Sequence, residues 1–355
     1  MPLWSSLIPI GAVALLGIAL VLPMGVILGT LCAFALVGSV IAGVHHAEVV
    51  AHRVGEPLGT LVLALAITVI EVALIVTMML SGGPDKNSLP RDTIFSAIMV
   101  ICNGLLGLCL LIGSLRHREQ TFRVVGANAA LATLVALTTL SLVLPVFTTS
   151  SRGPTYTNGQ LVFASIASLV LWGVFVFVQT VRHRDYFLPV DNVADENIHA
   201  PPPSSRLALL SFFLLFVALI DVVGLAKVMS PVIEAGVSAV GAPKGVIGIA
   251  IAILVLLPET WAAVRAARAN RLQTSMNLAL GSALASIGLT IPAVAFTSML
   301  IGMPLVLGLD PKDLTLLLLT FLVTSISLVT GRTHVMLAAV HLVIFGAFLL
   351  LAFVP

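Results

Sequence analysis

The sequence predicts an all-α polytopic membrane protein of about eleven transmembrane helices, with two inverted five-helix repeats behind a leading helix. Two observations on composition lead to this class. Apolar residues make up 59% of the 355 residues, and charged residues make up 9%, whereas soluble domains carry about 25%. The third observation is that the apolar residues form runs of about twenty, the length that a helix needs to cross a bilayer core of about 30 Å.

Each helix follows from one such run, taken in order along the chain. Polar or proline-containing breaks separate the runs, beginning with Pro23 and the stretch His45–Glu56, which we expect to be a solvated loop. The predicted spans are about 5–22, 24–44, 57–81, 91–114, 124–147, 159–181, 206–226, 243–266, 275–300, 313–330 and 333–354.

The domain organisation follows from one polar linker. We assign residues 1–23 to the leading helix, 24–181 to the first five-helix repeat, 182–205 to the linker and 206–355 to the second repeat. The linker ends near the run Pro201-Pro202-Pro203. Because five is odd, equivalent helices of the two repeats cross the membrane in opposite directions. Such an inverted repeat predicts a binding site near the bilayer midplane, between the halves.

The distribution of basic residues predicts the orientation. Loops after the even-numbered helices hold 11 of the 17 Lys and Arg residues, and the remaining loops hold 6. By the positive-inside rule, the amino terminus and the linker are cytoplasmic and the carboxyl terminus is outside.

Composition and motifs disfavour several function classes. The three cysteines lie inside apolar runs, so neither a disulfide framework nor a zinc site is expected. The net charge of +2 is too small to indicate nucleic-acid binding. We expect no cofactor. A metalloprotease would need a His-Glu-x-x-His motif, which is absent. Of the other residues that an intramembrane protease would use, His334 and His341 are the only histidines in or beside the late helices. Asp221, placed by the pattern at a membrane edge late in helix 7, is the only aspartate candidate. The chain is therefore not expected to be an enzyme.

Two glutamates carry the strongest functional signal. Glu71 lies near the centre of helix 3, and Glu259 lies at the matching position in helix 8. An ionisable group at the bilayer centre costs about 2.5–3.5 kcal/mol on insertion scales. Burial favours the protonated acid, whereas a bound cation favours the carboxylate, so protons and cations compete for such a group. The alternative is that each glutamate is structural and hydrogen-bonds to a neighbouring helix.

The residues around the glutamates indicate a cation site. Calcium prefers about six to eight oxygen ligands, more than two carboxylates provide, so further oxygens are needed. The candidate ion-binding residues are Asn103, Ser282, Thr68 and Asn277, in addition to Glu71 and Glu259. Four glycines would let the helices around the ion site approach closely. The alternative is that they serve helix packing and have no part in ion binding. They are Gly104, Gly107, Gly281 and Gly288.

Several short motifs of the sequence resemble those of the bacterial calcium/cation–proton antiporter family, part of the cation/calcium exchanger superfamily. They are Gly55-Glu56-Pro57 with Glu71, Arg91-Asp92-Thr93, Asn103-Gly104, Pro258-Glu259 and the run from Asn277 to Pro292. The resemblance implies ten core helices in two inverted repeats, often with an extra leading helix. It implies proton-driven export of calcium, sodium or potassium across the bacterial inner membrane. It also implies that Glu71 and Glu259 carry the ion and the proton.

The sequence departs from this pattern in ways that affect ion selectivity. Plant and fungal exchangers carry Gly-Asn ahead of each glutamate, where this chain has Ile67-Thr68 and Val255-Leu256. Ala285 replaces a glutamine of their ninth helix. The site therefore has fewer amide oxygens, and sodium or potassium exchange stays open beside calcium.

The function predicted from the sequence is secondary active cation/proton antiport by alternating access. The expected partners are a transported metal cation, protons and the lipid bilayer, and self-association into a homo-oligomer stays open. A passive cation channel is the alternative, because glutamates also line cation pores. The cluster His45, His46 and His52 with Glu48 and Glu56 is expected to be solvated, with pH sensing as the alternative.

Overall fold

The structure is a computed structural model that describes residues 2–55, 58–82, 87–188, 203–239, 241, 243 and 245–354. Only the backbone is described at 58–64, 81, 82, 234 and 238. Most of the linker (189–202), including Pro201 and Pro202, lies outside the described residues, as do Glu56 and Pro57 of the family motif.

The described residues form eleven helices and no β-strand, which confirms the all-α fold. In chain order the helices are α1 Leu3–Val21, α2 Val26–Val54, α3 Leu58–Gly82, α4 Leu89–His117, α5 Val124–Phe147, α6 Asn158–Arg182, α7 Ser205–Ala239, α8 Gly245–Arg268, α9 Leu272–Ile301, α10 Pro311–Val329 and α11 Val335–Phe353.

Ten of these helices are long and apolar enough to cross a membrane, and the part of α3 with described side chains, Leu65–Leu80, is apolar as well. Large apolar side chains such as Phe34, Phe163 and Val343 are exposed on the outer surface. A water-facing surface of this kind would be unstable, whereas lipid tails solvate it. The chain is therefore a multi-pass membrane protein.

The chain divides into two compact units, and the division falls inside α8, between Val255 and Leu256. The first unit contains α1, α2, α3, α7 and the beginning of α8. Its largest helix contact is between α2 and α7, which are the first helices of the two predicted repeats. The inverted arrangement of the repeats stays a prediction.

The second unit contains α4, α5, α6, the rest of α8, and α9 to α11. Helix α9 packs against α4, α5 and α6 and is the central helix of this unit. Its buried face is continuous over seven turns because small and apolar residues recur along it, from Leu272 to Ser298.

Two predicted helix ends are wrong because polar residues do not by themselves end a helix. Helix α2 continues through the stretch predicted to be a loop and ends only at Gly55, whose φ of +77° favours glycine. The 29 residues of α2 span about 44 Å at 1.5 Å per residue, more than the bilayer core. Helix α7 continues past Lys227 and through Pro231 to Ala239.

The histidine cluster is therefore helical, and His46 is fully buried rather than solvated. Proline has no N–H to donate, so Pro9 of α1 leaves the carbonyl of Ser5, four residues earlier, without its helical partner. The imidazole Nε2 of His46 lies 2.8 Å from that carbonyl oxygen and donates to it. Pro9 of α1 thus frees the Ser5 carbonyl to accept a hydrogen bond from His46 of α2.

Candidate functional site

In the first unit, α3 carries Glu71 with Thr68 one turn before it. Both side chains are buried, and Glu71 is 5% exposed. The preceding residue, Ile70, packs against α2, because a Cβ built on Gly43 would lie 3.2 Å from the Ile70 Cδ1 atom. The turn of α3 that carries the carboxyl is therefore held inside the unit, and Glu71 does not face lipid.

In the second unit, α8 carries Glu259 directly after Pro258. Glu259 is 8% exposed, so this carboxyl is also inside the protein. Pro258 lies within α8 and cannot donate a backbone hydrogen bond, which leaves the carbonyl of Leu254 without its usual helical partner. Each glutamate of the predicted pair is thus buried in an apolar helix.

Asn103 lies at the centre of a buried hydrogen-bond chain in the second unit. Its amide Nδ2 donates to Thr320 Oγ1 of α10 at 2.9 Å. Its Oδ1 lies 3.2 Å from His341 Nδ1 of α11, and His341 Nε2 lies 3.0 Å from Ser327 Oγ of α10. Since Oδ1 can only accept, Nδ1 carries the proton and Nε2 accepts from the serine hydroxyl. The chain therefore fits a neutral imidazole.

The backbone of α4 changes at Asn103. Residues Val100–Leu105 form a π-helical segment, in which all six residues are buried. Such segments insert an extra residue into an α-helix and occur frequently at functional sites. Asn103, which contacts both α10 and α11, lies within this segment.

The amide of Asn277 is held by protein groups. Its Nδ2 donates to the carbonyl of Phe187 at 2.6 Å, and its Oδ1 accepts from Gln273 Nε2 at 2.9 Å. These contacts anchor the chain after α6 to the beginning of α9, a structural role that the sequence did not predict. Ser282, one turn beyond, is half-buried.

The four predicted packing glycines differ in their surroundings. A Cβ on Gly104 would meet the ring of Phe345 at 3.2 Å, and one on Gly107 would lie 3.0 Å from His341 Cβ. A Cβ on Gly288 would lie 2.8 Å from Trp172 Cβ, which is too close. Gly281 has no described atom within 4 Å of that position, so its role as a packing glycine stays a prediction.

The described contacts therefore bring together Asn103, Gly104 and Gly107 with α11, but they join none of these residues to Ser282 or Asn277. Sequence reasoning missed His341 and Thr320 as partners of Asn103, and Ser327 as a partner of His341. A signal was present, because His341 is a lone histidine in an apolar helix, and Thr320, Thr324 and Ser327 recur at helical spacing. Asp221 was misplaced, since it lies in the middle of α7 and is fully buried.

Comparison with known proteins gives consistent matches over nearly the whole chain. Residues 17–181 and 210–354 match the family described as sodium/calcium exchanger protein. The chain is 49% identical over 360 residues to y4hA of Sinorhizobium fredii (strain NBRC 101917 / NGR234), which is named as an ionic transporter; the match covers 100% of this chain and 97% of that protein. It is 32% identical over 354 residues to the sodium-potassium/proton antiporter ChaA of Escherichia coli (strain K12), covering 98% and 96%.

Among solved structures, that of native YfkE superposes with a TM-score of 0.75. The superposition covers 98% of this chain and 99% of that chain at 16% identity. At this identity the likeness shows a shared fold.

Proposed function

The chain belongs to the sodium/calcium exchanger protein family, and from that membership we propose that it exports a metal cation in exchange for protons, with Glu71 and Glu259 as the groups that bind both. The observation that carries the proposal is the burial of one glutamate in an apolar helix of each predicted repeat. Cation/proton antiport is also the activity named for the E. coli relative.

The chemistry of exchange follows from competition at the two carboxyls. A buried carboxyl is stable as the neutral acid or as a carboxylate beside a cation, and it is costly as an unpaired charge. If only these two loaded forms cross between inward-open and outward-open states, one cation leaves for each set of protons that enters. Two carboxyls carrying two protons against one divalent cation give an electroneutral cycle.

The transported cation is calcium, sodium or potassium in this proposal. The E. coli relative is named for sodium and potassium, and the low number of side-chain amide oxygens near the glutamates supports a monovalent substrate beside calcium. Asn103, Ser282 and Thr68 are the proposed supplementary ligands. For Asn277 the described contacts support a structural role, and ion binding by it stays a prediction.

The proposed location is the bacterial inner membrane, with the amino terminus and the residues 182–205 on the cytoplasmic side. The basic residues of the loops support this orientation. Cations would then load from the cytoplasm and leave outside while protons return along their gradient.

Everted membrane vesicles test the proposal directly. Vesicles acidified by respiration should release protons when calcium, sodium or potassium is added separately, and Glu71→Gln and Glu259→Gln should each abolish the release. Glu119→Gln is the matched control, because Glu119 is 63% exposed and contacts only the guanidinium of Arg332, at 3.7 Å, among the ion pairs of the described residues.

Exchange that persists in both glutamine variants would remove the mechanism. Cation flux that continues without a proton gradient and carries current would instead identify a passive channel.

A further inference from the structure

Asp221 is a buried carboxyl that the proposed mechanism does not use. It lies in the middle of α7 with no exposed surface. Neither of its carboxylate oxygens has a hydrogen-bond partner among the described residues, and no ion pair there includes it. An ionised aspartate without a partner is costly in this environment, so the group is neutral in this conformation.

The packing of α7 on α2 locates the carboxyl. A Cβ on Gly29 would meet Val232, and a Cβ on Gly43 would meet Ala218. Gly29 and Gly43 are fourteen residues apart on α2, and their partners Ala218 and Val232 are fourteen residues apart on α7 in the reverse order, which sets an antiparallel register. In this register Asp221 of α7 lies at the same height as Val40 of α2, and Ser39 is the residue before Val40.

Ser39 is a second unpartnered polar group in the same layer. It is fully buried, and its hydroxyl has no partner among the described residues. By the helical periodicity of 100° per residue, Ser39 on α2 and Asp221 on α7 both turn toward α1. The Ile70 side chain meets α2 at Gly43, about 4.5 Å from this layer along the helix at 1.5 Å per residue. The turn of α3 with Glu71 therefore packs about one helical turn away from it.

The other titratable groups on the packed helices are few. Helix α1 has none, and α3 contributes Glu71. Helix α7 itself carries Arg206 and Lys227 among its described side chains, and α2 carries Cys32, His45, His46, Glu48, His52 and Arg53. His46 is level with residue 215, about 9 Å along α7 from Asp221 at 1.5 Å per residue, and its Nε2 is used by Ser5. No described cation therefore faces Asp221.

We propose that Asp221 is a third proton-binding carboxyl of the antiporter, protonated in this conformation and deprotonated at another step of the transport cycle. The inference rests on the proposed function. A proton fits the site better than a metal ion, which would need about six oxygens; the described residues contain no group of three or more His, Cys, Asp or Glu that could hold a metal. Packing alone gives the carboxyl no favourable contact that an apolar side chain would lack, whereas proton exchange requires it.

Infrared spectroscopy of the full chain in proteoliposomes tests the protonation state without relying on transport. Protein labelled with carbon-13 at the aspartate carboxyls should show the C=O band of a protonated aspartic acid at neutral pH, and Asp221→Asn should remove that band. Carbon-13 at aspartate alone keeps Glu71 and Glu259 out of the signal. Addition of the transported cation should change the intensity of the band.

Transport supplies the second readout. Asp221→Asn should lower by one the number of protons that the slope of the pH profile of exchange indicates. It should also shift the pH of half-maximal exchange by about one unit, a tenfold change in proton concentration. Ser39→Ala, which removes a neighbouring hydroxyl that does not titrate, should leave both unchanged.

The absence of a protonated aspartate band in the wild-type chain would overturn the inference whether or not the variant folds. A band that persists in Asp221→Asn would do so as well, because it would belong to another aspartate, and so would an Asp221→Asn pH profile identical to that of the wild type. Retained exchange in Glu71→Gln and Glu259→Gln would contradict the proposed function and leave the band as a separate result.

Discussion

The imidazole Nδ1 of His341 in α11 lies 3.2 Å from the amide oxygen of Asn103 in α4, and both residues are fully buried. Their separation in sequence is 238 residues, so this hydrogen bond joins the two predicted repeats inside one compact unit. Because His341 also bonds to Ser327, one side chain holds an amide that the sequence predicted to be an ion ligand.

We expect His341→Ala to destabilise the protein. The substitution leaves Asn103 Oδ1 and Ser327 Oγ buried without this partner, and an unsatisfied buried group costs about 1–3 kcal/mol. Equilibrium denaturation in detergent measures the loss. His334→Ala is the control, because His334 is exposed at the beginning of the same helix.

The coupling of the two side chains is a separate prediction. A double-mutant cycle of His341→Ala and Asn103→Ala should give an interaction energy of about 0.5–3 kcal/mol, the range for side chains in contact. Strictly additive effects would mean that the hydrogen bond contributes nothing to folding.

Two glycines of α9 should respond differently to the same substitution. Gly288→Ala places a methyl group 2.8 Å from Trp172 Cβ, and such overpacking costs about 1–3 kcal/mol. Gly281→Ala meets no described atom within 4 Å and should leave stability unchanged or raise it, because alanine favours the helix. Thermal denaturation of the two variants in detergent makes the comparison. Equal midpoints would contradict the assignment of Gly288 to the α6 interface.

The capping box at the beginning of α6 predicts that substitution of Thr157 destabilises the protein. The Thr157 Oγ1 atom accepts from the Gln160 backbone N–H at 3.4 Å, and Gln160 Oε1 accepts from the Thr157 backbone N–H at 2.9 Å. Thr157→Ala should cost about 0.5–2 kcal/mol. Thr315→Ala serves as the control, since that exposed hydroxyl donates to the carbonyl of Pro311 in its own helix. Denaturation should show a larger loss of stability for Thr157→Ala than for Thr315→Ala.

The pH dependence of cation affinity follows from the proposed competition. Protons and the cation bind the same carboxyls, so lowering the pH should weaken apparent cation binding. The apparent KM should rise about tenfold per pH unit for each proton displaced. Measuring KM in vesicles at several pH values, with the pH difference across the membrane held constant, gives the number of protons. A KM independent of pH would show that the cation displaces none.

The sequence determined the features that depend on composition and short-range pattern. Twenty-residue apolar runs predict spanning helices because backbone groups in hydrocarbon must bond within the segment, and this logic predicted α4, α5, α6, α9 and α10 to within a few residues. The same logic predicted that Glu71 and Glu259 are functional groups, because a carboxyl inside such a run is costly wherever the helix packs; the structure shows that both are buried. It failed at the ends of α2 and α7, where the helix continues through polar residues such as the exposed Glu48 and Lys227.

Only the tertiary structure decided which polar groups meet. Thr320 and His341, which bond to Asn103, are more than 200 residues away from it, and the buried position of Asp221 depends on how α7 packs on α2. Local periodicity gives the face of a helix but not its neighbour, since that choice depends on the shapes of all facing side chains together. For the same reason Gly281 and Gly288, similar in sequence context, proved to be open in one case and closely packed in the other.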